Sequence, residues 1–504
     1  MKRSICSVLF LLGFGSICGA QAAVLTVAST HIGNFVQGQN GATYQLIVSN
    51  QAAATSTVGT VTASYTVQAG MTFVSMSGPG WSCVGNSCTR GDALAGGASY
   101  PAITVTTNVS GAATSPLVNS ASVSGGGAVT ANSTDSTVVS APFTDAGGTD
   151  YFFDAVNLMK QFSITGGCSV TPLQYCPNSN VTRAQMAIFI IRAAVGNDTF
   201  SYSATPHFTD VPSGAFGFAW VQKMFELGIT AGCGGGNYCP NDAVTRGQMS
   251  VFVVRARLGA AADSTFTFPP NPFFTDVPSN FLYFKWVQRM KKDSLTAGCT
   301  ATAYCPNDPV TRGQMAIFIM RGAFNLLLPQ GSAVVSLVSP SNGVRGASAN
   351  VAISGVNTNF VNGTTTVNAG AGVTASNVAV SDSGTLTAQL AIDPAAVGGQ
   401  RSVVVTTGTE EAVLPNGFRV QVVNAVNIQN FAFSPDPENA AVGSLISWKN
   451  LDGATHRVVS DTSGVFDTQN LTTNQSATIA APAAGTYTYH CAIHPSMKGT
   501  VVVQ

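Results

Sequence analysis

Cys491-Ala492-Ile493-His494-Pro495-Ser496-Met497, close to the C-terminus, sets a thiolate, an imidazole and a thioether at intervals of three residues. A second imidazole, His456, follows the Trp-containing stretch Ser447-Trp448-Lys449-Asn450. Two imidazoles, one thiolate and a distant thioether make up the donor set of a mononuclear copper centre. Soft sulfur suits Cu(I), imidazole tolerates both oxidation states, and no ligand has to leave when an electron moves. Zinc fits less well, because it favours harder or all-thiolate sets and gains little from Met. Strand alternation sharpens the assignment: Tyr487, Tyr489 and Cys491 share one face, Thr486, Thr488 and His490 the other. Cys491 is therefore expected to point into a sandwich core and His490 away from it, which removes His490 from the ligand set. A turn through Pro495 returns His494 and Met497 towards the sulfur, and Lys498-Gly499 leads into a closing strand at 500–504.

The segment from Val426 to Gln504 resembles a cupredoxin, with the short Cys-x2-His-x2-Met loop of the amicyanin and plastocyanin group. Asn427-Ile428-Gln429-Asn430-Phe431-Ala432-Phe433 also fits that family. The resemblance implies one copper ion in a type 1 site held by His456, Cys491, His494 and the axial Met497. It also implies one-electron transfer through the edge of His494, with Ile493 and Pro495 in a surrounding apolar patch. Arg457 stands where many members carry the Asn that steadies the Cys loop.

Composition places this segment in a larger, exported chain. At 504 residues the sequence should hold several domains. Only 9% of residues are charged, against about 25% in an ordinary soluble protein. Formal net charge is zero, which argues against nucleic acid as a partner. Residues 1–22 read as a secretory signal: Lys2-Arg3, an apolar run from Ser7 to Ile17, and Ala20-Gln21-Ala22 as a cleavage site. Cys18 follows Ile17, a poor context for lipidation. No later apolar run is long enough to span a bilayer, so no transmembrane segment is expected. Apart from Cys6 and Cys18, eight cysteines form close pairs, Cys83/Cys88, Cys168/Cys176, Cys233/Cys239 and Cys299/Cys305. In an oxidising compartment these are expected as disulfides, and Cys491 is the one left over.

Residues 23–140 alternate small polar and β-branched residues between Gly and Asn turns, the pattern of a β-sandwich. They resemble the Ig-like modules of bacterial surface proteins. Residues 143–322 contain a threefold repeat (143–193, 208–257 and 274–322), each copy opening on Phe-Thr-Asp at 143–145, 208–210 or 274–276. Thr182, Thr245 and Thr311 are expected at helix N-caps, with Gln185, Gln248 and Gln314 completing capping boxes. In the second helix of the middle copy, Met249, Phe252, Val253 and Ala256 fall on one stripe; Trp220, Val221, Met224 and Leu227 do so in its first helix. The three copies, within 141–328, resemble S-layer homology domains, whose hallmark is Phe-x-Asp-Val and Thr-Arg-Ala-Glu. The resemblance implies a pseudo-threefold anchor for cell-wall polysaccharide. On it, Arg183, Arg246 and Arg312 would contact anionic sugar groups, and Trp220 and Trp286 would line the grooves. Gln replaces the hallmark Glu in all three copies, and Ala155 stands where the other copies have Trp. Leu326 to Gly331 reads as a linker. Residues 332–424 resemble an Ig-like sandwich of the transcription-factor-like and plexin-like type, followed by the cupredoxin-like domain at 425–504.

The whole chain is thus expected to be a multidomain cell-envelope protein. Its anchor would bind a cell-wall polymer, and its copper domain would exchange electrons with a redox partner protein. A structural or adhesive role with a redox-silent sandwich is one alternative, and copper storage or delivery is another. No acid–base pair or nucleophile accompanies the copper ligands, so enzymatic turnover is not expected.

Overall fold

The structure, a computed structural model, describes residues 22–196, 198 and 200–503. The expected leader, up to residue 21, and Gln504 lie outside them. The chain is mostly β-sheet with a few helices. It divides into two compact units, one holding residues up to Ile32 with Asn40–Val139, the other Gly33–Gln39 with Ser140–Gln504.

The first unit is a sandwich of a four-stranded and a five-stranded sheet. Strict alternation decides which faces meet: in Ala42–Asn50 every second residue is buried, from Ala42 through Tyr44, Leu46 and Val48 to Asn50. The Cys83–Cys88 disulfide closes the hairpin between Ser82–Val84 and Ser87–Arg90.

The second unit begins with three helix pairs: α1 (Phe153–Gln161) with α2 (Arg183–Val195), α3 (Phe218–Glu226) with α4 (Arg246–Leu258), and α5 (Phe284–Lys292) with α6 (Arg312–Phe324). Thr182, Thr245 and Thr311 each accept from the backbone of the Gln three residues on, completing the capping boxes. Asp145, Asp210 and Asp276 of the Phe-Thr-Asp motifs each accept two amides of a Tyr-Cys pair: Tyr175 and Cys176, Tyr238 and Cys239, Tyr304 and Cys305. Disulfides Cys168–Cys176, Cys233–Cys239 and Cys299–Cys305 close the same loops.

A ring of backbone bonds joins the three pairs about a common axis: Val181 donates to Val310, Val310 to Val244, and Val244 to Val181. All three valines are fully buried. Where neighbouring pairs meet, the chain trades side-chain size. A Cβ on Gly247 would lie 2.3 Å from the Tyr283 ring and one on Gly313 2.7 Å from Phe152, whereas Ala184 faces Gly217. No helix among the described residues is long and apolar enough to cross a membrane.

Two four-stranded sheets follow, built from strands between Val334 and Gln421. Leu326–Gly331, expected as a linker, lies between the last helix and the first strand of this sandwich, and the two bodies it connects interlock through side chains. Arg289 pairs with Glu411 at 2.6 Å and stands 2.9 Å from Asp293, while Arg257 pairs with Asp293 at 3.1 Å and Lys292 with Glu411 at 2.8 Å. Asn325 donates to the Val413 carbonyl, and Asn416 to that of Ala194.

The last sandwich begins at Val423, with a single residue between it and the strand ending at Gln421. One sheet runs Ala432–Ser434, Val423–Gln429, Leu445–Asn450, Ser476–Ala480; the other runs Glu438–Ala440, Lys498–Val503, Gly485–Cys491, Val458–Ser460. Its core centres on Trp448, whose ring lies 5.1 Å from Phe466 and 5.6 Å from Tyr489. A Cβ on Gly499 would lie 2.4 Å from the Tyr489 ring, so the residue opposite that tyrosine must be glycine.

Candidate metal centre

Tyr489 and Cys491 are wholly buried on the inner face of Gly485–Cys491. His490 faces the other way, with its Nδ1 2.6 Å from Asp461. The loop after the strand is tight: the His494 amide donates to Cys491 O, the Met497 amide to His494 O, and the Cys491 amide to Met497 O. This folding carries His494 back beside the sulfur and buries Met497 at 4% exposure. His456 arrives from a separate segment, fixed by reciprocal backbone bonds with Leu471.

Cys491 Sγ lies 3.6 Å from His456 Nδ1 and 3.7 Å from His494 Nδ1. The three ligand atoms lie within 4.8 Å of one another. Nitrogen and sulfur donors about 2.0 and 2.3 Å from one ion, at tetrahedral to trigonal angles, stand about 3.5–3.7 Å apart. The measured separations match, and Cys491 is the free cysteine among the described residues. The residues present therefore fit a single soft metal ion.

The surroundings prepare His456 for that role. Its Nε2 is 3.1 Å from Asp452 Oδ2, so Nε2 carries the proton and Nδ1 offers its lone pair to the centre. Burial holds the His456 pKa below the ordinary imidazole value, against the opposing pull of Asp452. Burial alone would raise the Asp452 carboxyl. The amides of Phe431 and Asn430, together with His456, outweigh that effect and hold it below the usual range. Arg457 supports the loop without the Asn side chain found in many cupredoxins. Its amide points at Cys491 Sγ at 3.5 Å, its carbonyl accepts from Ala492, and its guanidinium turns outward to Asp467.

The repeat body corrects the expectation for its arginines. Arg183, Arg246 and Arg312 are 3–5% exposed and face inward. Each clasps the next repeat: the guanidinium Nε donates to the carbonyl of Tyr238, Tyr304 or Tyr175, and that tyrosine's hydroxyl donates back to the arginine's carbonyl. Each guanidinium also lies over the same tyrosine ring, at 4.7–4.8 Å. Carbonyl acceptors and ring faces offset the poor position of a cation at a helix N-terminus. Burial pushes the Arg312 guanidinium below its ordinary pKa and raises all three phenols, which therefore act as donors. Arg246→Ala should lower the stability of the helical body by about 1.5–3 kcal/mol, the range for a hydrogen bond from a charged group. Thermal melts followed at the helical circular dichroism band check this. Arg246→Lys should recover little, since a point charge cannot reproduce the stacked fork.

Trp220 and Trp286 are half-buried and lie where repeats meet. The Trp220 indole N–H donates to Asp198 and that of Trp286 to Asp263. Arg192 and Arg255 bind the same carboxylates and lie over the same indoles. At the third junction Ala155 replaces Trp, and Phe162 stacks on Phe324 with ring centroids 4.8 Å apart. Arg192 and Arg255 were missed in the sequence, although each follows its clasp arginine by nine positions, as Arg321 does.

Comparison with known proteins bears on two parts of the chain. A cupredoxin-like domain model matches residues 402–503, and an S-layer homology domain model matches residues 207–250. Amicyanin-alpha of Methylorubrum extorquens is 34% identical over 83 residues, covering 16% of this chain and 70% of that one. The chain belongs to the cupredoxin family. A cell surface protein of Thermoanaerobacter kivui is 31% identical over 117 residues, covering 23% of this cupredoxin-family chain and 15% of the relative. An endoglucanase of Bacillus sp. is 32% identical over 136 residues, or 27% of this chain and 14% of the enzyme. The chain thus spans only a small part of these two relatives.

Proposed function

We propose that this cupredoxin-family chain is a one-electron carrier held in the cell envelope, not an enzyme. The reading rests on one observation, the separation of Cys491 Sγ from two imidazole Nδ1 atoms by 3.6 and 3.7 Å. His456, Cys491 and His494, with Met497 as axial donor, would hold one copper ion, which when bound supplies reversible one-electron chemistry. This chain's residues bury the sulfur and fix the His456 tautomer through Asp452. His494 is only partly buried, and its edge is the route by which an electron would pass to a partner protein.

The matched S-layer homology domain supports a wall-polymer anchor, and we extend that assignment to all three helix pairs. Ig-like sandwiches before and after the helices, the second of the transcription-factor-like and plexin-like type, would serve as spacers. Because the clasp arginines are inside, Trp220 and Trp286 are the better candidates for sugar contact. The double change Trp220→Ala/Trp286→Ala should reduce co-sedimentation of the protein with purified cell walls while the helical spectrum is kept. Undiminished sedimentation would show that the indoles are not the contact.

The copper reading is tested by titrating the full chain with Cu(II). An intense visible sulfur-to-copper band reaching its plateau at one equivalent is expected. A colourless titration would remove the carrier function.

A further inference from the structure

Gln429 pairs with Ala432 across a two-residue turn, Asn430-Phe431. Both turn residues are left-handed, with φ 56° and 57°. Such turns favour Asn followed by Gly, so a bulky Phe at the second position is a costly choice. Core packing does not explain it, since Phe431 is 52% exposed. Its ring instead stands edge-on to both candidate ligands, 4.9 Å from His494 at 89° and 5.4 Å from His456 at 70°.

One carboxylate holds this arrangement. Asp452 accepts from the Asn430 amide at 2.6 Å and the Phe431 amide at 3.0 Å, and the same side chain meets His456 Nε2. The turn and the ligand are thus pinned to a common point.

We propose that Phe431, positioned by Asp452, is a fixed shield that separates electron transfer from copper exchange. This rests on the copper reading above. An apolar ring across two imidazoles blocks a hydrophilic chelator from the metal, because ligand substitution needs a donor atom to reach the ion. Electron transfer needs no such approach and proceeds through the uncovered part of His494. The ring therefore selects carriage of electrons over delivery of the metal.

The test loads the full chain with copper and measures its loss to EDTA for Cu(II) and to bathocuproine disulfonate for Cu(I). Phe431→Gly removes the ring and suits the left-handed backbone, so the turn survives the change. Loss of copper should quicken by about tenfold or more, the lower end of the range for groups just outside the ligands. Phe431→Leu, which keeps apolar bulk, should stay near the wild-type rate, and Asp452→Asn should move towards the glycine variant. Equal rates in wild type and Phe431→Gly, with the visible band intact in both, overturn the shield and leave the copper reading standing. A wild-type chain that takes up no copper overturns both.

Discussion

Cys491→Ser is expected to erase the visible charge-transfer band completely, because that transition needs a thiolate bound to the metal. Ser offers a harder oxygen that stays protonated near neutral pH, which also removes the anionic charge that soft copper prefers. Affinity for copper should fall by more than about 100-fold, the upper end of what groups just outside the ligands contribute. The fold should persist in the variant. Cys491 sits at the end of a strand already tied by backbone bonds to Lys498–Val503 and Val458–Ser460, and Ser is close to it in size. Loss of colour with an unchanged far-ultraviolet spectrum therefore isolates the metal contribution. A band that survived the substitution would mean that sulfur is not a ligand, and the carrier role would go with it.

The legibility of this site followed from how local its determinants are. The Cys-x2-His-x2-Met spacing and the Tyr487-Tyr489-Cys491 alternation lie within one strand and one turn, so period-2 geometry was enough to orient the sulfur. His456 was legible as a candidate donor by its type and its place after the Trp448 stretch, but nothing in the intervening residues dictates that it meets Cys491. Asp452 and Phe431 went unread because their roles depend on three separate loops converging. The clasp arginines were misread for a related reason. Position N1 was inferred correctly from the capping box, but the acceptors that draw each side chain inward belong to a tyrosine 55, 58 or 137 residues away. Sequence periodicity reports which face of an element is apolar. It does not report which neighbour that face will meet.

Glu411→Ala is expected to destabilise the helical body and the sandwich after it together, by about 3–5 kcal/mol, because it strands the buried Arg289 cation. The Arg289 side chain is 1% exposed and that of Glu411 6%. With the carboxylate gone, Arg289 retains the Thr267 carbonyl and a single carboxylate, Asp293, which already serves Arg257. Burial alone would raise the Glu411 carboxyl, but Arg289 and Lys292 outweigh it and hold its pKa below the usual carboxylate range. A depressed folded-state value means the contribution is complete above the unfolded pKa and is lost as pH falls through the folded one. The gap between wild type and Glu411→Gln, read from calorimetric transitions, should therefore be largest near pH 7. It should shrink below about pH 4.5 and close at lower pH. One joint transition in the wild type that splits into two in Glu411→Ala would mark these charges as the coupling between the bodies. Two separate transitions already in the wild type would mean that the bodies melt independently, and that the network orients them without uniting their folding.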